Sequence, residues 1–200
     1  MYGGEQRKRK YFGQNSKVGG KILERKGLLI VVTGDGKGKT TSALGLALRA
    51  YGNGLKVLIL QFIKGAQSYG ELSAVEKLNG NEERIIIKQA GLGFTKRGGI
   101  DEKTHKKAAD FALNEAKDAL QSGDWDMVIL DEILYAVKFN LIEEEELFSL
   151  IDLKNENTHL VLTGRGASDA LIKKADLVSD IACVKHPYQK GIKAQAGIEF

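Results

Sequence analysis

The stretch LLIVVTGDGKGKTT, running from Leu28 to Thr41, decides the fold. Its first residues, Leu28 to Val32, are apolar without interruption and predict a buried parallel strand. Thr33, Gly34, Asp35, Gly36, Lys37 and Gly38 then make a tight turn, and Lys39, Thr40 and Thr41 open the segment SALGLALRAY, whose apolar residues have helical spacing. A strand, a glycine-rich turn and a helix start together build a cradle for phosphate. Glycines permit positive backbone angles and bring N–H groups close to anionic oxygens. Lys39 adds a point charge, and the Thr40 hydroxyl can reach a Mg²⁺ ion. The pattern GxxxxGK[ST] is met with Thr33 in place of its first glycine. A plain connecting turn does not account for a lysine followed by two threonines at a helix start.

Working outward, strands and helices alternate. Lys56 to Phe62, Glu83 to Gln89, Trp125 to Glu132 and Thr158 to Gly166 read as further strands, with a sixth within ADLVSDIACVKH. Helices are expected from Glu71 to Leu78, from Asp101 to Gln121, from near Ile133, from near Glu143 and from Ala167 to Lys174. The strands are apolar throughout rather than alternating, which indicates a parallel sheet with helices on both faces. The fold class is therefore α/β, with about six parallel strands and the phosphate-loop NTPase (RecA-like) arrangement. Ligands of such sheets sit at the C-terminal ends of the strands. The loops at 33–40, 61–70, 131–132 and 163–166 converge there. The eleven residues AGLGFTKRGGI (90–100) carry four glycines and no periodicity, which marks a functional loop.

At 200 residues the chain makes one domain with a full core. No run of eighteen apolar residues occurs, so no membrane partner is expected. The N-terminus is charged and shows no secretory leader. A single cysteine, Cys183, excludes an internal disulfide framework and suits the cytoplasm; in the stretch DIACV it reads as a buried structural thiol. Residues 1–26 hold eight Lys/Arg against Glu5 and Glu24, a net +6, so the remaining chain is −2 within a total of +4. The chain thus divides into a basic N-terminal arm, 1–26, and a nucleotide-binding domain, 27–200. The arm reads as mobile, with a short helix near Lys21 to Lys26. A solvated arm is the default; covering an anionic ligand or touching nucleic acid are the other readings.

An apolar strand ending in Asp131 and Glu132 is a natural partner for the phosphate loop, since a carboxylate there can hold Mg²⁺ beside a triphosphate. The competing reading is an acid that caps the next helix. Arg165, between two glycines at a strand end, can make bidentate phosphate contacts. His105, His159 and His186 are too scattered for a zinc site, and His105 reads as solvated. The residues thus describe a Mg-nucleotide binder and leave hydrolysis, phosphoryl transfer and rarer chemistry open.

Several segments together resemble the phosphate-loop ATP:corrinoid adenosyltransferases. They are VVTGDGKGKTTSALGLALRA, LQFIKG, the Gly70–Glu71 pair, GFT at 93–95, VILDE, TGRG, ADLVS and VKHPYQKGIKAQAGIEF. The resemblance implies transfer of the 5′-deoxyadenosyl group of ATP to the cobalt(I) of a reduced corrinoid, with release of tripolyphosphate. It implies ATP contacts from Thr33 through Thr41 and Arg165, with Lys39, Glu132 and Phe94 catalytic. It implies Mg²⁺ at Thr40 and Glu132, with Asp131 beside them. Phe94 would pack near the cobalt; Lys96 stands where a bacterial member of the family carries Trp. A homodimer and an electron-donating reductase, flavin-dependent, are implied as partners, and nucleic acid is not. The alternative on the same fold is a conventional ATPase or small-molecule kinase. A third reading is a non-catalytic nucleotide-binding module whose basic arm binds nucleic acid.

Overall fold

A computed structural model describes residues 16–18, 21–23, 26–65, 69–93 and 101–199. Among these, Ser16–Val18 (β1) and Lys21–Leu23 (β2) pair antiparallel. The short helix expected near Lys21 is therefore a strand at its start. The β-branched residues Val18 and Ile22 favour extended backbone there.

The body runs β3 (Leu29–Thr33), α1 (Lys39–Gly52), β4 (Val57–Gln61), α2 (Gly70–Asn79), β5 (Ile85–Gln89), α3 (Glu102–Ser122) and β6 (Met127–Asp131). It continues through α4 (Ile133–Lys138), α5 (Glu144–Asp152), β7 (His159–Thr163), α6 (Asp169–Lys174) and β8 (Leu177–Asp180). Strands β3 to β8 form one sheet in the order β5-β4-β6-β7-β3-β8, and every pairing is parallel. This is the α/β architecture expected from the unbroken apolar strands.

Side chains along a strand point alternately to opposite faces, and the core divides accordingly. Leu29 and Val31 face one side with Leu58, Leu60, Val128, Leu130, Leu160 and Leu162. Helices α3, α4, α5 and α6 cover that side through residues such as Leu113, Ile133, Leu147 and Leu171. Ile30 and Val32 face the other side with Ile59, Ile129 and Val161, beneath Ala43, Ala47 and Ala50 of α1. Three alanines on one face let α1 lie close to the sheet. A leucine at any of them would overpack the layer, at about 1–3 kcal/mol.

Two local expectations are corrected. His105 is buried, at 4% exposure, on the same α3 face as Ala109, Ala112 and Ala116, and its Nε2 has no hydrogen-bond partner. Its spacing of four residues from Ala109 carried that information. Cys183 is exposed, because the chain leaves the sheet at Asp180 before reaching it. The sixth strand expected within ADLVSDIACVKH is β8, an exposed edge of the sheet. The glutamate run does open a helix: Glu143 and Glu146 make a reciprocal capping box at the start of α5.

Candidate active site

The phosphate loop leaves β3 at Thr33 and enters α1 at Lys39. Two glycines are needed for this path. Gly34 has φ +96°, and a Cβ there would lie 2.2 Å from Asp180 Oδ1 and 2.6 Å from the Ile181 nitrogen. Gly38 has φ +114° and precedes α1 with no side-chain cap. The first N–H groups of α1 are thus left for an anion, at the positive end of the helix dipole.

The loop is braced from several sides. The Gly36 N–H donates to the Ile181 carbonyl at 2.6 Å. Arg165 Nη2 donates to the Asp35 carbonyl at 2.9 Å, and the Ala167 N–H donates to Thr33 Oγ1 at 3.4 Å. Lys39 Nζ folds back and donates to the carbonyls of Gly34 (2.8 Å) and Gly36 (2.6 Å). Burial, and then the nearby Arg165 charge, lowers the Lys39 pKa below the usual lysine value.

The carboxylates divide into two roles. Asp131 ends β6 at 1% exposure. Its Oδ1 accepts from Thr40 Oγ1 and from Thr163 Oγ1, both at 2.8 Å. Its Oδ2 accepts from Gln61 Nε2 at 3.3 Å and lies 3.7 Å from Lys64 Nζ. Both carboxylate oxygens of Asp131 are thus engaged by protein groups. Glu132 differs: its backbone turns left-handed at φ 64°, and its N–H donates to Thr163 Oγ1 at 2.8 Å. Burial, and then the adjacent Asp131 charge, pushes its pKa up to about 7.

A cavity of about 670 Å³ joins these parts. Of the sequence-predicted residues, Gly36, Lys37, Gly38, Lys39, Thr40, Thr41, Glu132 and Arg165 line it. Thr33, Gly34, Asp35 and Asp131 are absent from its walls and build the loop and its support instead. Phe94 and Lys96 lie outside the described residues.

Sequence reasoning missed part of the wall. Lys64 follows β4 and pairs with Glu71 of α2 at 2.9 Å, beneath the Tyr69 ring. At Lys64 burial is the largest influence, but the charges of Asp131, Glu71 and Glu132 and the Glu71 hydrogen bond together outweigh it and raise the pKa; at Glu71 burial is again the largest, but hydrogen bonds from Lys64, the backbone and Gln61, with the Lys64 charge, together lower the pKa. Both residues line the cavity, as do Tyr135 and Glu199. Gln61 was the readable signal, a polar residue at the end of an otherwise apolar strand and now wholly buried. Glu199 lies in the segment VKHPYQKGIKAQAGIEF, where its neighbours gave it no role.

The donor set fits a hard divalent cation. Thr40 donates its own proton to Asp131, which leaves its lone pairs for a metal, and Glu132 adds carboxylate oxygens. Among the described residues no three His, Cys, Asp or Glu gather to hold a metal alone. Few protein oxygens beside a polyphosphate site is the usual setting of Mg²⁺. No described helix is long and apolar enough to cross a membrane.

Comparison with known proteins bears on this cavity. Residues 25–200 match the family model described as ATP:corrinoid adenosyltransferase BtuR/CobO/CobP. A corrinoid adenosyltransferase of Sinorhizobium is 39% identical over 183 residues, covering 88% of this chain and 82% of that protein. One from Pseudomonas aeruginosa is 38% identical over 88% of this chain and 85% of its own length. The corrinoid adenosyltransferase CobA of Salmonella typhimurium is 37% identical, with 88% and 87% coverage. These likenesses favour adenosyl transfer over a conventional ATPase or kinase. With every cavity-lining residue inside the matched span, the chain belongs to the ATP:corrinoid adenosyltransferase family, enzymes of adenosylcobalamin synthesis.

Proposed function

We propose that the chain transfers the 5′-deoxyadenosyl group of ATP to the cobalt(I) of a corrinoid, using the phosphate-loop cavity to hold the triphosphate. Cobalt(I) supplies an electron pair to the ribose C5′, and the cobalt–carbon bond forms. The C5′–O bond breaks, and its pair leaves with tripolyphosphate. The observation that carries the reading is the gathering of Lys39, Thr40, Glu132 and Arg165 on one cavity above an uncapped helix start.

Each residue then has a task. The N–H groups of Lys37 to Thr41 bind phosphate oxygens. Lys39 exchanges its two loop carbonyls for a phosphate and meets the growing negative charge of the leaving group. Arg165, 43% exposed and anchored on Asp35, closes over the chain of phosphates. Thr40 and Glu132 would hold Mg²⁺, which supplies further positive charge to the departing polyanion. Asp131 works through Thr40: it fixes the hydroxyl's direction and does not itself reach the cavity. Phe94 is assigned to the cobalt side by the likeness of the GFT segment alone. The family resemblance as a whole supports a homodimer fed by a flavin-dependent reductase, and the single cysteine supports a cytoplasmic setting.

The test is anaerobic. The protein, ATP, magnesium and chemically reduced cob(I)alamin are mixed, the corrinoid spectrum is followed, and the phosphate product is identified. Light-sensitive adenosylated corrinoid together with tripolyphosphate is the expected result. Steady ADP release with no spectral change, for cobalamin and for its precursors, would overturn the reading.

A further inference from the structure

The segment after β8 crosses the surface and returns to the phosphate loop. From Ala182 to Ile198 every residue except His186 is exposed, including Val184 at 93% and Tyr188 at 76%. The segment is therefore weakly held along its length. Its end is not: a turn in which the Glu199 N–H donates to the Gln195 carbonyl, and the Gln195 N–H to Glu199 Oε2 (both 2.9 Å), presents the Glu199 carboxylate to the loop. Glu199 Oε1 lies 3.8 Å from Lys37 Nζ, and the side chain keeps only 22% of its exposure. Gly197, Ile198 and Glu199 share the cavity wall with Gly36 to Thr41.

A carboxylate thus sits against a phosphate-loop lysine, in a cavity whose ligand is a polyanion. Two anions cannot both use Lys37 at full strength, and an uncompensated carboxylate beside a triphosphate is repulsive.

We infer that Glu199 is an internal competitor for the triphosphate at Lys37: the C-terminal turn occupies that cation in the empty site, yields it to the nucleotide, and retakes it as tripolyphosphate departs. The inference rests on the phosphate-site reading of the cavity. It adds a part for the tail that neither the loop motif nor the carboxylate strand supplies. Its functional consequence is faster product release, obtained at the expense of ground-state affinity. Because the strap is exposed along almost its whole length, displacing it breaks few buried contacts.

The test is calorimetric titration of the full chain with magnesium tripolyphosphate. Glu199→Gln is expected to tighten binding about two- to five-fold, the range of a partly exposed ion pair. Glu199→Lys is expected to tighten it further. In a Lys37→Gln background the gain from Glu199→Gln should fall close to onefold. Unchanged or weaker binding in Glu199→Gln would overturn the inference, as would an equal gain in both backgrounds, which would mark a general charge effect. If the unaltered protein bound no tripolyphosphate and matched Lys39→Ala, the phosphate-site reading itself would fall, and the strap with it. Thermal melting of each variant guards against misfolding.

Discussion

The two ends of the cavity are built differently. At the phosphate-loop end, the groups facing the ligand are close neighbours in sequence, from Gly36 to Thr41, and the lysine is parked on backbone carbonyls. At the Lys64 end, side chains from β4, α2 and β6, with Thr163 of β7 behind them, engage one another through ion pairs and hydrogen bonds, with the buried Gln61 Oε1 left without a partner. The first end is held open by conformation, and on the proposed function its lysine exchanges carbonyls for phosphate. The second is a closed electrostatic network with little spare capacity. The contrast indicates that charge is moved at one end and fixed at the other.

The largest expected break in this contrast is Lys39→Ala. It removes the exchangeable cation and should lower the adenosylation rate by a hundredfold or more, about 3 kcal/mol, with an unchanged melting temperature within a few degrees. Retention of full activity in the anaerobic assay would remove Lys39 from the site.

Glu132 sits between the two ends and should give the ligand-free protein a pH signature. Its folded-state pKa of about 7 lies above the ordinary 4.5, so between those values the native state keeps a proton that the unfolded chain has lost. Stability should therefore fall as pH rises through that window and level off above it, by at most about 3 kcal/mol. Urea unfolding across the window, compared with Glu132→Gln, isolates the effect. A variant with the same slope as the parent would show that another group is responsible.

At the closed end, a double-mutant cycle on Lys64→Met and Glu71→Leu should yield a coupling of about 1–2 kcal/mol, above the usual exposed pair, since the side chains are only 14% and 20% exposed. A coupling near zero would mean that the network is not fixed as described. The smallest effect belongs to Asp35→Ala. Its carboxylate is 84% exposed and lies 3.6 Å from Arg165 Nε, while its carbonyl keeps the shorter bond to Nη2. Stability should change by less than about 0.5 kcal/mol. A large loss would give the Asp35 side chain a role that the geometry does not assign it.

The same contrast explains what could be read from the chain. Lys39 and Thr40 were legible because the loop's chemistry is contiguous, and because strand, turn and helix each leave a local pattern. Glu132 was legible as an acid at a strand end, but not its separation from Asp131: that depends on a left-handed backbone at one residue and on Thr163, 31 positions away. Lys64 and Glu71 sat inside quoted motifs without an assigned role, since their pairing depends on how α2 docks. His105 was misread because a histidine among lysines looks solvated, although its helical spacing from Ala109 places it inward. Glu199 likewise sat inside a quoted segment without an assigned role, since only the return of the tail brings it to the loop.

The strand order carries one more consequence, for the birth of the chain. Strand β3 lies between β7 and β8, pairing Ile30 with Val161 and with Leu177. On the ribosome, the strand that leads into the phosphate loop emerges early and has no neighbour until more than a hundred further residues have been made. Non-local parallel pairing of this kind is slow and leaves an apolar edge open to wrong partners in the meantime. A nascent chain stopped before β7 should therefore be a client of chaperones rather than a smaller nucleotide-binding domain.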